Sequence, residues 1–279
     1  MAKNRPVASQ PSKVRTVHLA RKKAEGEPIV MVTAYDYPSA RLVDAAGVDV
    51  ILVGDSLGTA VLGFDTTLSV TLEHMIHHAA AVRRGTRRAM VVVDMPFMTH
   101  RISPEETLRN AARLMQEGGA EAVKLEGGTE ISDTVRQLVT AGIPVMGHIG
   151  LTPQSLHQMG GYRIQGRNNA QVERLLAAAH ALAEAGAFAI VLELMPSVVG
   201  RQISEAVGIP TIGIGAGSHC DGQVLVLHDL LGIASSPKRF VKQYADLEKT
   251  IRGAVERYAS EVRARRFPSR KHSFPVPEK

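Results

Sequence analysis

Polar side chains follow several short apolar runs of the sequence, at the positions where strands would end. The runs are VILV, VVV, VKL, MGH and VLE, and each finishes in or just before such a residue. The acids, the lysine, the histidine and the serine at these ends are Asp55, Ser56, Asp94, Lys124, Glu126, His148 and Glu193. Because the carboxyl ends of parallel strands form one face of an α/β protein, we expect these side chains to converge there.

Three of the acids, Asp55, Asp94 and Glu126, would repel one another at such a face unless a cation lay between them. An all-oxygen set of ligands suits a hard ion such as Mg²⁺. A zinc site would use cysteine or clustered histidine, and neither occurs at suitable spacing. Lys124 and Glu126 are two residues apart, so on a strand their side chains point to the same side.

Each of these residues also has a purely structural explanation. An aspartate after a strand often caps the next turn or helix, as we expect of Asp36. Lys124 could have no role beyond an ion pair with Glu126, and His148 could be a core histidine with satisfied hydrogen bonds. The glycine-rich run 213–217 fits a phosphate site or a tight turn. The functional interpretation therefore depends on several strand ends taken together.

Eight apolar runs rich in Val and Ile alternate with amphipathic helical segments, a pattern typical of buried parallel strands. They are residues 29–33, 50–53, 90–93, 121–125, 144–148, 188–192, 210–214 and 223–227. This alternation predicts an α/β fold, a (β/α)₈ TIM barrel, with a doubly wound open sheet as the alternative. An extra N-terminal helix over 14–25 and C-terminal helices ending near Ala264 complete the prediction.

Helix boundaries are marked along the chain. Ser103 before Pro104 predicts the start of a helix over 103–117, and a second helix is predicted over 169–185. Glycines 47, 142 and 186 are placed to end three helices. The segment 149–168 is longer than the roughly 2–6 residues of most βα loops. It predicts a lid over the strand ends, with an unstructured loop as the alternative.

The net charge of +6 comes from the two ends of the chain. We expect disordered basic tails at 1–13 and 265–279 and a single barrel domain over 14–264 that is mildly acidic. This distribution argues against a nucleic-acid partner. The lone cysteine, Cys220, precludes an internal disulfide and fits a cytoplasmic location. The sequence has no signal peptide and no apolar run near the roughly 18 residues of a membrane span, so we expect no membrane partner.

Several longer phrases occur in order over residues 14–262. They are TAYDYPSA (33–40), VGDSLG (53–58), DMPF (94–97), KLEGG (124–128), GHIGLTPQS (147–155), VLELMP (191–196), and IGIGAG (212–217) with CDGQVLV (220–226). Together they resemble the ketopantoate hydroxymethyltransferase family. The resemblance implies a barrel that acts on 3-methyl-2-oxobutanoate with 5,10-methylenetetrahydrofolate as co-substrate. The product would be 2-dehydropantoate, on the route to pantothenate and coenzyme A.

The resemblance also implies a role for each strand-end residue. Position by position, Asp55, Asp94 and Glu126 match the Mg²⁺ site of the family. The substrate contacts match Asp55, Ser56, Asp94 and Lys124, to which we add His148. Glu193 matches the catalytic base that would form an enolate. Members of the family assemble as homo-oligomers, and the resemblance implies a decamer.

Three other functions compete with this one. The nearest is a Mg²⁺-dependent oxo-acid enzyme of the phosphoenolpyruvate mutase and isocitrate lyase type. Those lyases usually carry a cysteine in a lid loop, and 149–168 has none. A nucleic-acid-binding protein would depend on the basic tails. A non-catalytic scaffold would not need carboxylates at its strand ends.

Overall fold

Eight parallel strands close into a barrel in the order in which they follow along the chain, and the last pairs with the first. They are β1 (Ile29–Thr33), β2 (Val50–Val53), β3 (Met90–Asp94), β4 (Ala122–Glu126), β5 (Val145–Gly150), β6 (Ala189–Glu193), β7 (Thr211–Ile214) and β8 (Gly222–Leu225). The computed structural model describes residues 12–233 and 238–274. The closed sheet confirms the predicted (β/α)₈ TIM barrel and excludes the open sheet. The boundaries of β1 and β2 are the predicted ones, and those of the other six strands differ from the prediction by at most two residues at an end.

Helices connect most of the strands. They are α1 (Thr16–Glu25), α2 (Tyr37–Ala45), α3 (Leu57–Ala60), α4 (Leu72–Gly85), α5 (Pro104–Gln116), α6 (Ser132–Thr140), α7 (Leu156–Met159), α8 (Asn169–Glu184), α9 (Ser197–Ala206), α10 (Leu227–Leu230) and α11 (Leu247–Arg263). The predicted N-cap of α5 is confirmed, since Ser103 Oγ accepts a hydrogen bond from Glu106 N at 3.1 Å. Glycines 47, 142 and 186 adopt the positive φ expected after a helix end.

The inward side chains of the strands form the core of the barrel. The cluster includes Val50, Leu52, Met90, Val92, Ala122, Met146, Ala189, Val191 and Ile212. Because side chains alternate along a strand, every second residue toward the carboxyl end also points inward. The barrel interior is therefore apolar in the layers toward the amino ends of the strands. Polar side chains can face the interior only in the last layer, at the carboxyl ends.

The predicted extra helix lies at the amino-terminal end of the barrel. Leu19 of α1 is 1% exposed and belongs to the same core cluster as Ile29 and Met31 of β1. Val14 joins this cluster, and its backbone N–H donates to Arg88 O at 2.8 Å. Apolar residues thus fill this end, while the opposite end carries the polar residues.

The chain divides into two compact units, Met1–Val226 and Leu227–Lys279. The first contains the barrel. The second contains α10, α11 and a 3₁₀ turn at Arg270–His272, inside the segment predicted as a tail. The predicted boundaries of the domain and the tails stay predictions, and residues 1–11 and 275–279 lie outside the described residues. None of the helices described in the two ranges is long and apolar enough to cross a membrane.

The ends of β5 and β6 approach each other closely at Gly150. This residue has φ +98°, and a Cβ atom there would lie 2.2 Å from the carbonyl oxygen of Glu193. Only glycine fits, because any side chain would meet backbone that is itself hydrogen-bonded: Leu151 N donates to Glu193 O at 2.9 Å. Gly150 therefore allows the carbonyl of Glu193 to join the two strand ends.

We predict that Gly150→Ala lowers the free energy of unfolding by about 3 kcal/mol or more. A left-handed alanine costs about 1–2 kcal/mol, and the overlap with Glu193 O adds about 1–3 kcal/mol. Gly47→Ala is the matched control, because Gly47 has φ +85° but a Cβ added there would have no atom within 4 Å. Urea unfolding of both variants measures the difference. Equal losses of unfolding free energy in the two variants would show that the close approach of Glu193 O does not require glycine at position 150.

Candidate active site

The strands β3 to β6 contribute charged side chains to the last inward layer of the barrel. Asp94 comes two residues after Val92, Lys124 two after Ala122, His148 two after Met146 and Glu193 two after Val191. Strand register places Asp94 beside Lys124 and Gly150 beside Glu193. The alternation of β-strands therefore explains why these residues meet at the mouth of the barrel.

Asp94 and Lys124 form a buried ion pair. Lys124 Nζ lies 2.8 Å from Asp94 Oδ1, and both side chains are 4% exposed. The other carboxylate oxygen of Asp94 accepts a hydrogen bond from Asp55 N at 3.0 Å. Lys124 thus pairs with Asp94 of the neighbouring strand. The alternative of a purely structural pair with Glu126 predicted a different partner.

Asp55 and Glu126 are both held by Gln154, a residue of the 3₁₀ turn Pro153–Ser155 after β5. The side-chain amide of Gln154 donates to Asp55 Oδ2 at 2.9 Å and to Met95 O at 3.0 Å. Its backbone N–H donates to Glu126 Oε2 at 2.9 Å. A single residue therefore joins the ends of β2, β3 and β4.

Behind Glu126, two side chains from the segment after β3 fix its backbone. Neutral His100 donates from Nε2 to Glu126 O at 3.2 Å, and Arg101 Nη2 donates to the same oxygen at 3.0 Å. Burial, with a smaller effect of the Arg101 guanidinium, lowers the pKa of His100 to about 4. The carbonyl at the end of β4 thus accepts two hydrogen bonds, one for each of its lone pairs.

His148 connects the two glutamates of the site. Its Nδ1 lies 3.4 Å from Glu126 Oε1 and 3.2 Å from Lys124 Nζ, and its Nε2 lies 3.1 Å from Glu193 Oε2. Burial and the charge of Lys124 act to lower the pKa of His148, but hydrogen bonds to Glu126 and Glu193 outweigh them and raise it to about 9. A protonated His148 places its charge between the two glutamates, whereas a neutral one accepts a hydrogen bond from Lys124.

The carboxylates of the site carry more negative charge than the described residues around them offset. Burial raises the pKa of Asp55 well above its ordinary value, and the charges of Asp94 and Glu126 raise it further. Burial raises the pKa of Asp94 too, although Lys124 opposes this effect. Burial disfavours the ammonium of Lys124, yet attraction to Asp94, Glu126 and Asp55 raises its pKa. An additional cation would therefore be stabilised here.

Ser56 is hydrogen-bonded to Tyr35, which follows β1. Their hydroxyl oxygens are 2.8 Å apart, and Tyr35 is 2% exposed. Glycine at position 54 leaves space for the Ser56 hydroxyl, because a Cβ atom there would lie 2.8 Å from Ser56 Oγ. Tyr35 thereby sets the direction of the serine hydroxyl at the end of β2.

Glu193 is the most accessible acid of the last layer. Its side chain is 16% exposed, against 4% for Asp94 and 3% for Glu126. The next residue, Leu194, has φ +49°, a left-handed conformation that is rare for a branched side chain. Its backbone is bonded on both sides, by Leu194 N to Ile214 O and by Gln165 N to Leu194 O, each at 2.9 Å. The surrounding chain thus holds a strained turn directly after Glu193.

The donor set of this site fits a hard divalent cation in its chemistry and charge. The oxygens of Asp55, Asp94 and Glu126 are the kind that Mg²⁺ prefers. Over residues 12–233 and 238–274, no three His, Cys, Asp or Glu side chains already surround a common point. Mg²⁺ is usually held by one or two protein carboxylates, with waters and substrate oxygens completing the shell. The site therefore fits Mg²⁺ without a preformed triad.

All seven residues predicted from the strand ends lie at this end of the barrel, but Gln154 and Tyr35 were not among the predicted site residues. Gln154 lies in the segment 149–168 predicted as a lid. Residues 149–152 and Gln154 are buried, whereas most of 157–168 is exposed. Only the later part of the segment can act as a lid. Asp36 caps α2 as predicted, since its Oδ1 accepts from Ser39 N at 2.7 Å.

Comparison with known proteins shows the family of this chain. Residues 13–270 match the family described as ketopantoate hydroxymethyltransferase. The chain belongs to this family. A protein of Carboxydothermus hydrogenoformans named 3-methyl-2-oxobutanoate hydroxymethyltransferase is 56% identical over 264 residues, covering 94% of this chain and 95% of that protein. A protein of the same name from Moorella thermoacetica is 55% identical, covering 95% of this chain and 99% of its own.

Solved structures share the fold of this family member at much lower identity. A putative phosphonomutase from Burkholderia cenocepacia superposes with a TM-score of 0.65 at 17% identity, covering 87% of this chain and 98% of its own. A 2,3-dimethylmalate lyase of the PEP mutase/isocitrate lyase superfamily superposes with a TM-score of 0.60 at 20% identity, covering 95% and 93%. At such identities the likeness concerns the barrel alone.

We predict that Lys124→Met lowers the free energy of unfolding by about 3–5 kcal/mol at neutral pH. The change removes the cation that neutralises Asp94, which leaves a buried carboxylate without a charged partner. Arg136→Met is the control, because it breaks the exposed pair of Arg136 and Asp133 and should leave the stability nearly unchanged. Urea unfolding without added metal compares the two. A loss as small as that of the control would contradict the electrostatic description of the site.

Proposed function

We propose that this enzyme transfers a hydroxymethyl group from 5,10-methylenetetrahydrofolate to 3-methyl-2-oxobutanoate and forms 2-dehydropantoate. The observation that carries the proposal is the arrangement of Lys124, His148 and Glu193 beside buried carboxylates, in a member of this family. Such an arrangement suits the enolisation of a small oxo acid. It combines a cationic group for the substrate carboxylate, an accessible base and a site for a divalent cation.

The substrate carboxylate would be bound by Lys124 and by the hydroxyl of Ser56. Tyr35 supports this role, because its hydrogen bond to Ser56 fixes where the serine hydroxyl points. Mg²⁺, held by Asp55, Asp94 and Glu126, would stabilise the negative charge that develops on the keto oxygen. His148 would add a contact to the substrate from the neighbouring strand.

Glu193 would act as the base. Its carboxylate would take the proton from carbon 3 of the oxo acid, and the electrons of the broken C–H bond would form the enolate. Two features support this assignment: Glu193 is more accessible than Asp94 or Glu126, and His148 Nε2 lies 3.1 Å from its Oε2. The charged ring of His148 beside this oxygen would orient the carboxylate for proton abstraction.

Carbon 3 of the enolate would then form a bond to the methylene carbon of the folate. Both bonds from that carbon to the folate nitrogens break, and water supplies the hydroxyl oxygen. One proton of that water and the proton held by Glu193 go to the two nitrogens, and tetrahydrofolate leaves. The exposed part of the segment 149–168 would exclude bulk water while the enolate exists, because bulk water would return the proton to it. The reaction would serve the formation of pantothenate. The homo-oligomer implied by the resemblance and the cytoplasmic location expected from the lone cysteine stay predictions.

We predict that Glu193→Gln abolishes the exchange of the carbon 3 proton of 3-methyl-2-oxobutanoate with solvent deuterium. The amide cannot accept the proton, and a loss of 100-fold or more, on the order of a general base's contribution, is expected. Proton NMR in D₂O with Mg²⁺ follows the exchange without any folate. Mg²⁺ affinity, measured by calorimetry, should stay as in the unaltered enzyme, because Glu193 is not among the proposed ligands.

The control variant is Glu184→Gln, at the last residue of α8 and outside the last inward layer of the barrel. It should exchange the proton at the unaltered rate. Exchange that continues unchanged in Glu193→Gln would remove Glu193 from the role of base. An enzyme with no exchange before any substitution would contradict the proposed enolate chemistry as a whole.

A further inference from the structure

Gln154 is a buried amide in a segment that otherwise becomes exposed. It is 7% exposed, and the 3₁₀ turn Pro153–Ser155 carries it back toward the mouth of the barrel. Three residues later, His157 and Gln158 are exposed to solvent. The fold therefore directs Gln154 into the site while the following chain leaves it.

The contacts of Gln154 are unusual in how many strand ends they join. Its two side-chain N–H groups satisfy Asp55 Oδ2, after β2, and Met95 O, after β3. Its backbone N–H satisfies Glu126 Oε2, at the end of β4. Because two carboxylates from different strands are held by one residue, the relative position of Asp55 and Glu126 depends on Gln154.

The chemistry of an amide suits this position better than that of other side chains. A neutral N–H donor fixes one oxygen of a carboxylate and leaves the other oxygen free for a further ligand. A lysine or arginine here would neutralise Asp55 and compete with a divalent cation. A glutamate would add a further negative charge beside Asp55 and Glu126. Glutamine therefore orients the carboxylates without removing their charge.

We propose that Gln154 is a positioning residue that holds Asp55 and Glu126 in the geometry in which they receive a divalent cation. The proposal rests on the proposed Mg²⁺ site. The side chain would not touch the cation itself. It would act through Asp55, while the backbone N–H of the same residue orients Glu126, as groups behind metal ligands do when they orient those ligands. The start of the segment after β5 thereby belongs to the cation site rather than to a lid.

Calorimetric titration of the full chain with Mg²⁺ tests this role. We expect Gln154→Leu, which keeps the size but removes both side-chain donors, to weaken Mg²⁺ binding by about 10–100-fold. Gln154→Asn keeps the amide but is one methylene shorter, so it cannot reach Asp55 and Met95 together. It should weaken binding about 10-fold and decides the question if the leucine variant does not fold. Thermal unfolding without metal establishes that each variant is folded at the temperature of the titration.

Two further variants distinguish a failure of the positioning role from a failure of the proposed Mg²⁺ site. Gln158→Leu changes an exposed glutamine of the same segment and should bind Mg²⁺ with unaltered affinity. Asp55→Asn removes a proposed ligand and should lose most of the binding. Unaltered affinity in folded Gln154→Leu, together with loss in Asp55→Asn, would overturn the positioning role but leave the Mg²⁺ site standing. Unaltered affinity in Asp55→Asn as well would overturn both.

Discussion

The structure of the site depends on the electrostatic cost of burying Asp55, Asp94 and Glu126 within one end of a barrel. Each of these acids is less than 5% exposed, and carboxylates so close together and so far from water repel one another strongly. Lys124 offsets part of this charge through Asp94, His148 lies between Glu126 and Glu193, and Gln154 donates to Asp55 and Glu126. The remaining charge is what makes a cation part of the proposed mechanism.

The barrel accommodates these charges because its apolar and its charged side chains lie in different layers. Apolar side chains fill the lower layers of the interior, and α1 contributes Leu19 at the amino-terminal end. Polar groups can therefore converge at the opposite end without disturbing the core. The 2,3-dimethylmalate lyase shares the barrel at only 20% sequence identity. Function is consequently argued from the residues of the last layer and from the family, rather than from the fold.

Much of this arrangement could be predicted from the sequence, because strand ends and alternation are local properties. Asp94, Lys124, His148 and Glu193 each follow an inward core residue by two positions, so their direction follows from the strand period. Gln154 could not be found in this way, because it is 99 residues away from Asp55 in sequence. The length and glycines of its segment predict a lid, which gives no reason to expect a site residue there. The contact of Tyr35 with Ser56 also joins two different strand ends, and periodicity contains no information about such contacts.

The partner of Lys124 shows the same limit. Lys124 and Glu126 are near in sequence and share a side of β4, which made a pair between them the simplest structural explanation. Strand register instead places Asp94 of β3 beside Lys124, and the ion pair follows from that neighbour. Local pattern thus identifies which residues face the site, while the register between strands decides which of them interact.

The most direct test of the proposed function is a turnover assay with purified enzyme, Mg²⁺, 3-methyl-2-oxobutanoate and 5,10-methylenetetrahydrofolate, in which mass spectrometry follows the acids. We expect a hydroxymethylated acid that forms only when Mg²⁺ is present. Enzyme that is folded and binds Mg²⁺ but forms no such acid would contradict the proposed reaction, and would favour a lyase or mutase activity on another oxo acid.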